Sequence, residues 1–443
     1  MKVKQPGGNH RHYPCSHRGY ILKEMIGRGS YGKVYKANVC TISWERFVKA
    51  AEHNGIGQGV IESLKEAGID KNTDRLLEAN DIEIRDIIGV RSKVNLESIF
   101  DAVESSRTET KQRVAIKILD EDRNEWEDVQ REIHIMHDVH HENIVSVYAA
   151  FLKNGPMDQV WLVMPLLGMG SLRGMIKEVP RFKHGIKDPK LLASILEQIL
   201  SALVYLHEDG RVHRDLKAAN LLMSEDGEIK LGDFGLTANM AYDLESFVGT
   251  PNFMAPEVIK GRSYCMKADV WSFGITALEL AYGKTPNSKL KGKEILAAIV
   301  SNPAPSCSSH CYERHKLMPR TFRKLIEKCL HKDPNQRPTA RQLLSFGFFK
   351  NTRGKEYIIN SCVKHILATC DKRRKKEASN GKLIAPEHTK YWMLPDVGSF
   401  ILPESCRRKL GNEGQRRKDV RMKSPQMKDR SYWLAPSAHE FAY

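Results

Sequence analysis

His213-Arg214-Asp215-Leu216-Lys217-Ala218-Ala219-Asn220, followed after a short apolar strand by Asp233-Phe234-Gly235, decides the fold. One short turn sets a carboxylate, Asp215, beside a cation, Lys217. The amide Asn220 comes next, and a second carboxylate, Asp233, stands at a strand end. A carboxylate paired with a cation can orient a hydroxyl. The second carboxylate, with the amide, offers the hard oxygen donors that hold magnesium on nucleotide phosphates. The spacing therefore points to phosphoryl transfer.

Working outward, Tyr20 to Ile26 reads as a strand, and Gly27-Arg28-Gly29-Ser30-Tyr31-Gly32-Lys33-Val34 follows it. Gly27, Gly29 and Gly32 let the backbone fold tightly over phosphates. The stretch nearly spells a P-loop, but Val34 stands where a Ser or Thr must ligate the metal, and strand-like residues continue it where a helix should start. Val114-Ala115-Ile116-Lys117 reads as a further strand. Glu132 lies 15 residues after Lys117, in a segment where Val129, Ile133 and Met136 recur at helical spacing. Leu191 to Glu208 is a long amphipathic helix with Leu192, Ile195, Ile199, Leu203 and Leu206 on one face.

Together these motifs resemble the eukaryotic protein kinases. The resemblance implies an α+β, bilobal protein kinase fold over residues 19–350, with a β-rich N-lobe holding ATP and an α-helical C-lobe holding substrate. It implies that Ile26, Gly27, Gly29, Gly32, Val34, Ala115, Lys117, Met164, Leu167 and Leu222 surround the nucleotide. Lys117 would reach the phosphates and pair with Glu132. Asp215 would orient the acceptor hydroxyl and Lys217 would stabilise phosphate charge, while Asn220 and Asp233 would hold Mg2+ or Mn2+ with ATP as co-substrate. Thr250 would bond Asp215 and Lys217, Glu257 would pair with Arg337, and Asp269 would hold the catalytic loop's backbone. Ser246 is the expected phosphorylation site, with Arg214 binding the phosphate. Lys217, two places after Asp215, and Thr250 favour Ser/Thr acceptors over Tyr, and Ala219 removes the acid used to read an upstream arginine.

Phe247-Val248-Gly249-Thr250-Pro251-Asn252-Phe253-Met254-Ala255-Pro256-Glu257 and Lys267 to Ala281 are most similar to the germinal-centre branch of the sterile-twenty class, nearest its oxidative-stress-responsive (Fray-like) subgroup. That implies a role in stress or osmotic signalling, an upstream activating kinase, and protein substrates. Two departures stand against the subgroup: Ser246 where its phosphorylated Thr should be, and no recognisable peptide-docking domain after the kinase domain.

Between Val34 and Lys117 lie 82 residues, far more than a hairpin requires. Phe47–His53, Gly59–Ala67, Asp74–Glu78, Ile82–Ile88 and Leu96–Val103 read as short amphipathic helices. The all-α insertion, residues 44–107, resembles a sterile-alpha-motif domain, which implies a protein partner or self-association. Its periodicity fits an unrelated helical insertion equally well. An alternative function follows: a non-catalytic scaffold acting through this insertion.

The bulk numbers set the remaining bounds. The chain has 443 residues and a net charge of +16. From Asp371 onward it carries 17 Lys and Arg against 9 acids, so the tail holds half of the excess. Residues 1–18 read as a disordered tail and 351–443 as a basic tail, largely disordered. No nucleic-acid-binding motif and no apolar run of about 18 residues is present, so neither nucleic acid nor a membrane span is expected. Nine scattered cysteines without a secretory leader read as reduced thiols, which implies a cytoplasmic location. Lys372-Arg373-Arg374-Lys375-Lys376 adds a nuclear alternative. Scattered His10, His12 and His17, and the Cys307, His310, Cys311, His315 group, match no zinc spacing.

Overall fold

A computed structural model describes residues 13–29, 32–89, 94–120, 126–153, 158–239, 248–262, 265–308 and 318–379. Ser246 and the group His310, Cys311 and His315 lie outside them.

The N-lobe is one antiparallel sheet. β1 (Tyr20–Gly29), β2 (Gly32–Ile42), β3 (Arg107–Asp120), β4 (Ala149–Lys153) and β5 (Gln159–Pro165) lie in the order β1-β2-β3-β5-β4. Gly32, the first residue of β2, abuts β3. A Cβ there would sit 2.2 Å from the Ile118 carbonyl oxygen. The far face of the sheet packs Tyr20, Val39, Val114, Ile116, Phe151, Trp161 and Val163 into one apolar cluster.

The insertion rides on β2 and β3, which run on past the turn a bare hairpin would make. Cys40, Thr41 and Ile42 pair with Glu109, Thr108 and Arg107. Between them come α1 (Trp44–His53), α2 (Gln58–Glu66), α3 (Asp74–Glu78), α4 (Asp81–Ile88) and α5 (Leu96–Ser106). Asn80 and Glu83 form a capping box on α4, and Asn95 caps α5, which sets where these short helices start. Phe47, Leu64, Leu76, Leu77, Ile84 and Ile99 are completely buried in a core separate from both lobes.

The expectation of a disordered N-terminal tail through residue 18 needs correction. Residues 13–19 form a strap between insertion and sheet. Cys15 N–H donates to Glu78 Oε1 at 2.8 Å, and the Arg18 guanidinium donates to the Ala79 carbonyl and lies 3.7 Å over the Phe100 ring. Tyr13 stacks on Tyr148, and Tyr20 donates to the Pro14 carbonyl at 2.6 Å. Aromatic rings and one arginine order this polar stretch by bridging two surfaces that are not adjacent in sequence.

α6 (Trp126–Asp138) packs Ile133 and Met136 into the large core shared with the C-lobe. That lobe contains α7 (Leu172–Glu178), α8 (Pro189–Glu208), the short strands β6 (Arg211–Val212), β7 (Leu221–Met223), β8 (Ile229–Leu231) and β9 (Ala238–Asn239), α9 (Pro256–Ile259), α10 (Lys267–Tyr282), α11 (Lys293–Ser301), α12 (Arg320–Cys329) and α13 (Ala340–Leu344). Among the described residues α8 alone is long and apolar enough to cross a membrane, and two thirds of that stretch is buried in the core.

The expected kinase-domain boundary at 350 needs correction, because the first part of the tail is folded; residues 380–443 lie outside the described residues. α14 (Lys355–Ile358), a π-helical turn (Ile359–Val363) and α15 (Lys364–Ser379) continue the C-lobe. Ile358, Cys362, Val363, Ile366 and Cys370 are buried in the same core. Tyr357 Oη donates to Asp188 Oδ2 at 2.5 Å, and Lys355 Nζ reaches Glu142 and Glu228. The buried side chains recur every fourth residue, a helical stripe hidden in sequence by the basic run that follows it.

Candidate active site

The sheet lays out one wall of the site. Val34, Lys117 and Leu162 are neighbours across β2, β3 and β5, as are Ala115 and Met164 one pleat away. Gly27 pairs with Val34, and Gly29 with Gly32. Side chains two apart on a strand share a face, so Ala115 stands beside Lys117 on the face that carries Val34. Leu222, half-buried on β7, belongs to the C-lobe side, and Leu167 to the connection after β5.

Lys117 Nζ lies 2.6 Å from Glu132 Oε1 on α6 and 3.5 Å from Asp233 Oδ1. Burial works against the Lys117 ammonium, but the two carboxylates outweigh it and hold its pKa above the ordinary lysine value. Burial likewise opposes ionisation of Asp233, and Lys117, Lys217 and His213 reverse that, so its carboxyl lies below the ordinary range. Asp233 is thus a charged carboxylate whose side chain is 37 % exposed, in contrast to Glu132 at 3 %.

The catalytic loop hangs from the start of α10. The completely buried Asp269 accepts from His213 N–H at 2.8 Å and from Arg214 N–H at 2.9 Å, and His207 of α8 bonds the same carboxylate at 2.9 Å. This anchoring holds Arg214 at φ 68°, and Asp233 takes φ 64°. These are the two non-glycine residues with positive φ among the described residues, and each costs on the order of 1–3 kcal/mol.

Held this way, Asp215 sits in a closed ring. Thr250 Oγ1 donates to Asp215 Oδ1 at 2.6 Å, Lys217 Nζ donates to Thr250 Oγ1 at 2.7 Å, and Lys217 Nζ lies 2.7 Å from Asp215 Oδ2. Asn220 spends its amide N–H groups on Asp215, at 2.9 Å to the main-chain oxygen and 3.1 Å to Oδ2. Its carbonyl oxygen is thereby left as the acceptor. A carboxylate and an amide oxygen are hard donors that suit magnesium, which takes its remaining ligands from phosphates and water. Thr250 is held in turn by the segment after it, where Glu257 meets Arg337 in a buried bidentate pair at 2.6 and 2.8 Å. Arg214 Nε donates to the Leu236 carbonyl.

The structure therefore holds Lys117, Glu132 and Asp233 in one cluster and Asp215, Lys217, Asn220 and Thr250 in another, with the Gly232 N–H, next to Asp233, donating to the Asn220 main-chain carbonyl at 2.9 Å. Two residues outside the sequence-based set adjoin the second cluster. Glu279 of α10 accepts from Ala218 N–H at 3.2 Å and from Arg173 of α7 at 2.5 Å. One signal was available: Glu279 is the single charge in the otherwise apolar or neutral run Val270–Ala281. A buried charge has to be paired.

The protein kinase domain family matches residues 99–349. The chain belongs to the protein kinase family. The match starts inside α5, so β1 and β2 fall outside it, and the structure pairs them with β3 across the insertion. Serine/threonine-protein kinase fray1 of Dictyostelium discoideum is 37 % identical over 61 % of this chain and 46 % of its own length. Germinal center kinase 3 of Caenorhabditis elegans is 33 % identical over 62 % and 50 %. Serine/threonine-protein kinase ppk11 of Schizosaccharomyces pombe is 36 % identical over 66 % and 87 %. These relatives place the domain in the germinal-centre branch of the sterile-twenty class and make it of the serine/threonine type. The chain spans half or less of fray1 and germinal center kinase 3.

Proposed function

We propose that the chain transfers the γ-phosphate of ATP to serine or threonine hydroxyls of protein substrates. The observation that carries this is the ring of Asp215, Lys217 and Thr250, with the Lys117–Glu132–Asp233 cluster beside it through the Gly232 N–H to Asn220 carbonyl bond. Asp215 orients the acceptor hydroxyl and takes up its proton. Lys217 neutralises charge on the phosphoryl group in flight, and Lys117, fixed by Glu132, clamps the nucleotide phosphates. Ala115, Val34, Met164, Leu167 and Leu222 enclose the base, with Ile26 and the glycine turn above it. Asn220 and Asp233 would hold magnesium, which supplies further neutralisation of phosphate charge when bound.

Transfer of labelled phosphate to a serine or threonine peptide, compared between the unaltered chain and Asp215→Ala, tests the reading. A loss of about 100-fold or more supports it. Equal rates would leave the insertion-borne scaffold as the function. The similarity to Fray-like kinases extends the proposal to stress or osmotic signalling in the cytoplasm, with nuclear entry through residues 372–376. Activation would come from an upstream kinase acting on Ser246, whose phosphate Arg214 would bind. The insertion, with its own core, would dock a protein partner or a second copy. Substrate capture with and without residues 44–107 tests that part.

A further inference from the structure

The catalytic loop has a second anchor besides Asp269. Ala218 follows Lys217 directly, and its N–H is taken by the carboxylate of one ion pair while its carbonyl is taken by the main chain of the other partner. Its N–H donates to Glu279 Oε2 at 3.2 Å, and its carbonyl accepts from the main-chain N–H of Arg173 at 2.9 Å, a bond that Arg173→Ala keeps. The Arg173 guanidinium closes the circuit on Glu279 Oε1 at 2.5 Å. The Thr276 hydroxyl, one turn before Glu279 on α10, lies 3.3 Å from the Leu216 carbonyl, but the Ser272 carbonyl at 2.8 Å is the nearer acceptor for its one proton. The loop is therefore tied at Ala218, directly after Lys217, to α10 through Glu279 and to α7 through Arg173.

We propose that Arg173 and Glu279 are positioning residues for phosphotransfer: the Arg173 guanidinium holds the Glu279 carboxylate on the Ala218 N–H, and this helps set where the neighbouring Lys217 ammonium and its partner Asp215 stand. Glu279 is 2 % exposed. Burial pushes its pKa up and Arg173 and the Ala218 N–H act against that, so the carboxylate depends on its partner to serve as a charged acceptor. Without Arg173, Glu279 has reason to take up a proton and loosen its hold on Ala218. Lys217 then loses the hold on its following residue, and the loop is left to the Asp269 anchor and the Thr250 ring.

The inference rests on the phosphotransfer reading, and the test separates the two. In Arg173→Ala, kcat should fall about 10-fold or more while KM for MgATP stays within two-fold, because the nucleotide clamp on Lys117 is untouched. Arg173→Lys, which keeps a charge, should regain most of the loss. In the same variants, hydrogen exchange at the Ala218 amide should speed up at least 10-fold in Arg173→Ala and much less in Arg173→Lys. A kcat within two-fold of the unaltered chain, or unchanged exchange at Ala218, overturns the proposal. If the unaltered chain transfers no phosphate, the proposed function fails and the exchange measurement alone decides the clamp. Should Arg173→Ala not fold, Arg173→Gln is read by the same two measurements, with a smaller effect in the same direction expected.

Discussion

Replacing Glu132 with glutamine removes one charge from the Lys117 cluster and leaves the volume almost unchanged. Removing a single partner from a buried ion pair typically costs about 3–5 kcal/mol, because the remaining charge stays desolvated and alone. Here it is not alone. Coulomb attraction falls as 1/r, so Asp233 at 3.5 Å already supplies about three quarters of what Glu132 supplies at 2.6 Å. The loss of folding stability should therefore be nearer 2 kcal/mol than the full figure. The larger consequence is functional. Lys117 would close onto Asp233, engaging the carboxylate proposed to hold magnesium and withdrawing from the phosphate position. If that displacement forfeits about 2–3 kcal/mol of transition-state stabilisation, kcat/KM for ATP falls roughly 30- to 160-fold. Steady-state phosphotransfer over a range of ATP concentrations, with chemical denaturation of the same preparations, measures both terms. A kcat/KM within threefold of the unaltered chain would show that Lys117 keeps its place without Glu132, and the argument for the cluster would fail.

Three further outcomes are expected. Arg337→Met leaves Glu257 buried without its bidentate partner and should lower stability by about 3–5 kcal/mol; the double variant Arg337→Met/Glu257→Leu should be less destabilised than the single one in urea unfolding. His17 in the strap has its pKa lowered to about 4, by burial first and then by Arg18, Lys153 and Arg107. Below about pH 6.5 the unfolded chain takes up a proton that the folded strap refuses, so stability present at neutral pH is lost as pH falls toward 4, and His17→Gln should flatten that slope in thermal melts from pH 7 to 4. Ile366→Ala should cost about 2–5 kcal/mol although it lies beyond the matched domain; a change under about 0.5 kcal/mol would mean α15 is not part of the cooperative unit.

Legibility from sequence followed the range of the interaction. Asp215, Lys217 and Asn220 lie within one turn, so their shared chemistry could be read from spacing. The helices of the insertion were legible too, because an amphipathic stripe is a local pattern. Observed α2, α3 and α4 start within a residue of the reading from periodicity. The strap and α15 were misread because their order comes from partners elsewhere. Tyr13 needs Tyr148, Arg18 needs Phe100, and Tyr357 needs Asp188. Arg173 and Glu279 were missed for the same reason, as 106 residues separate them.

By itself, then, the amino-acid order determined the reaction class, the paired lobes and the presence of a helical insertion, since each is written in patterns a few residues long. Tertiary structure decided that strands split by 64 residues still form one sheet, that both flanking segments belong to the folded unit, and that an α7–α10 ion pair holds the catalytic loop. Those depend on which distant groups meet at ångström separations, and burial and charge pairing settle that only once the whole chain has packed.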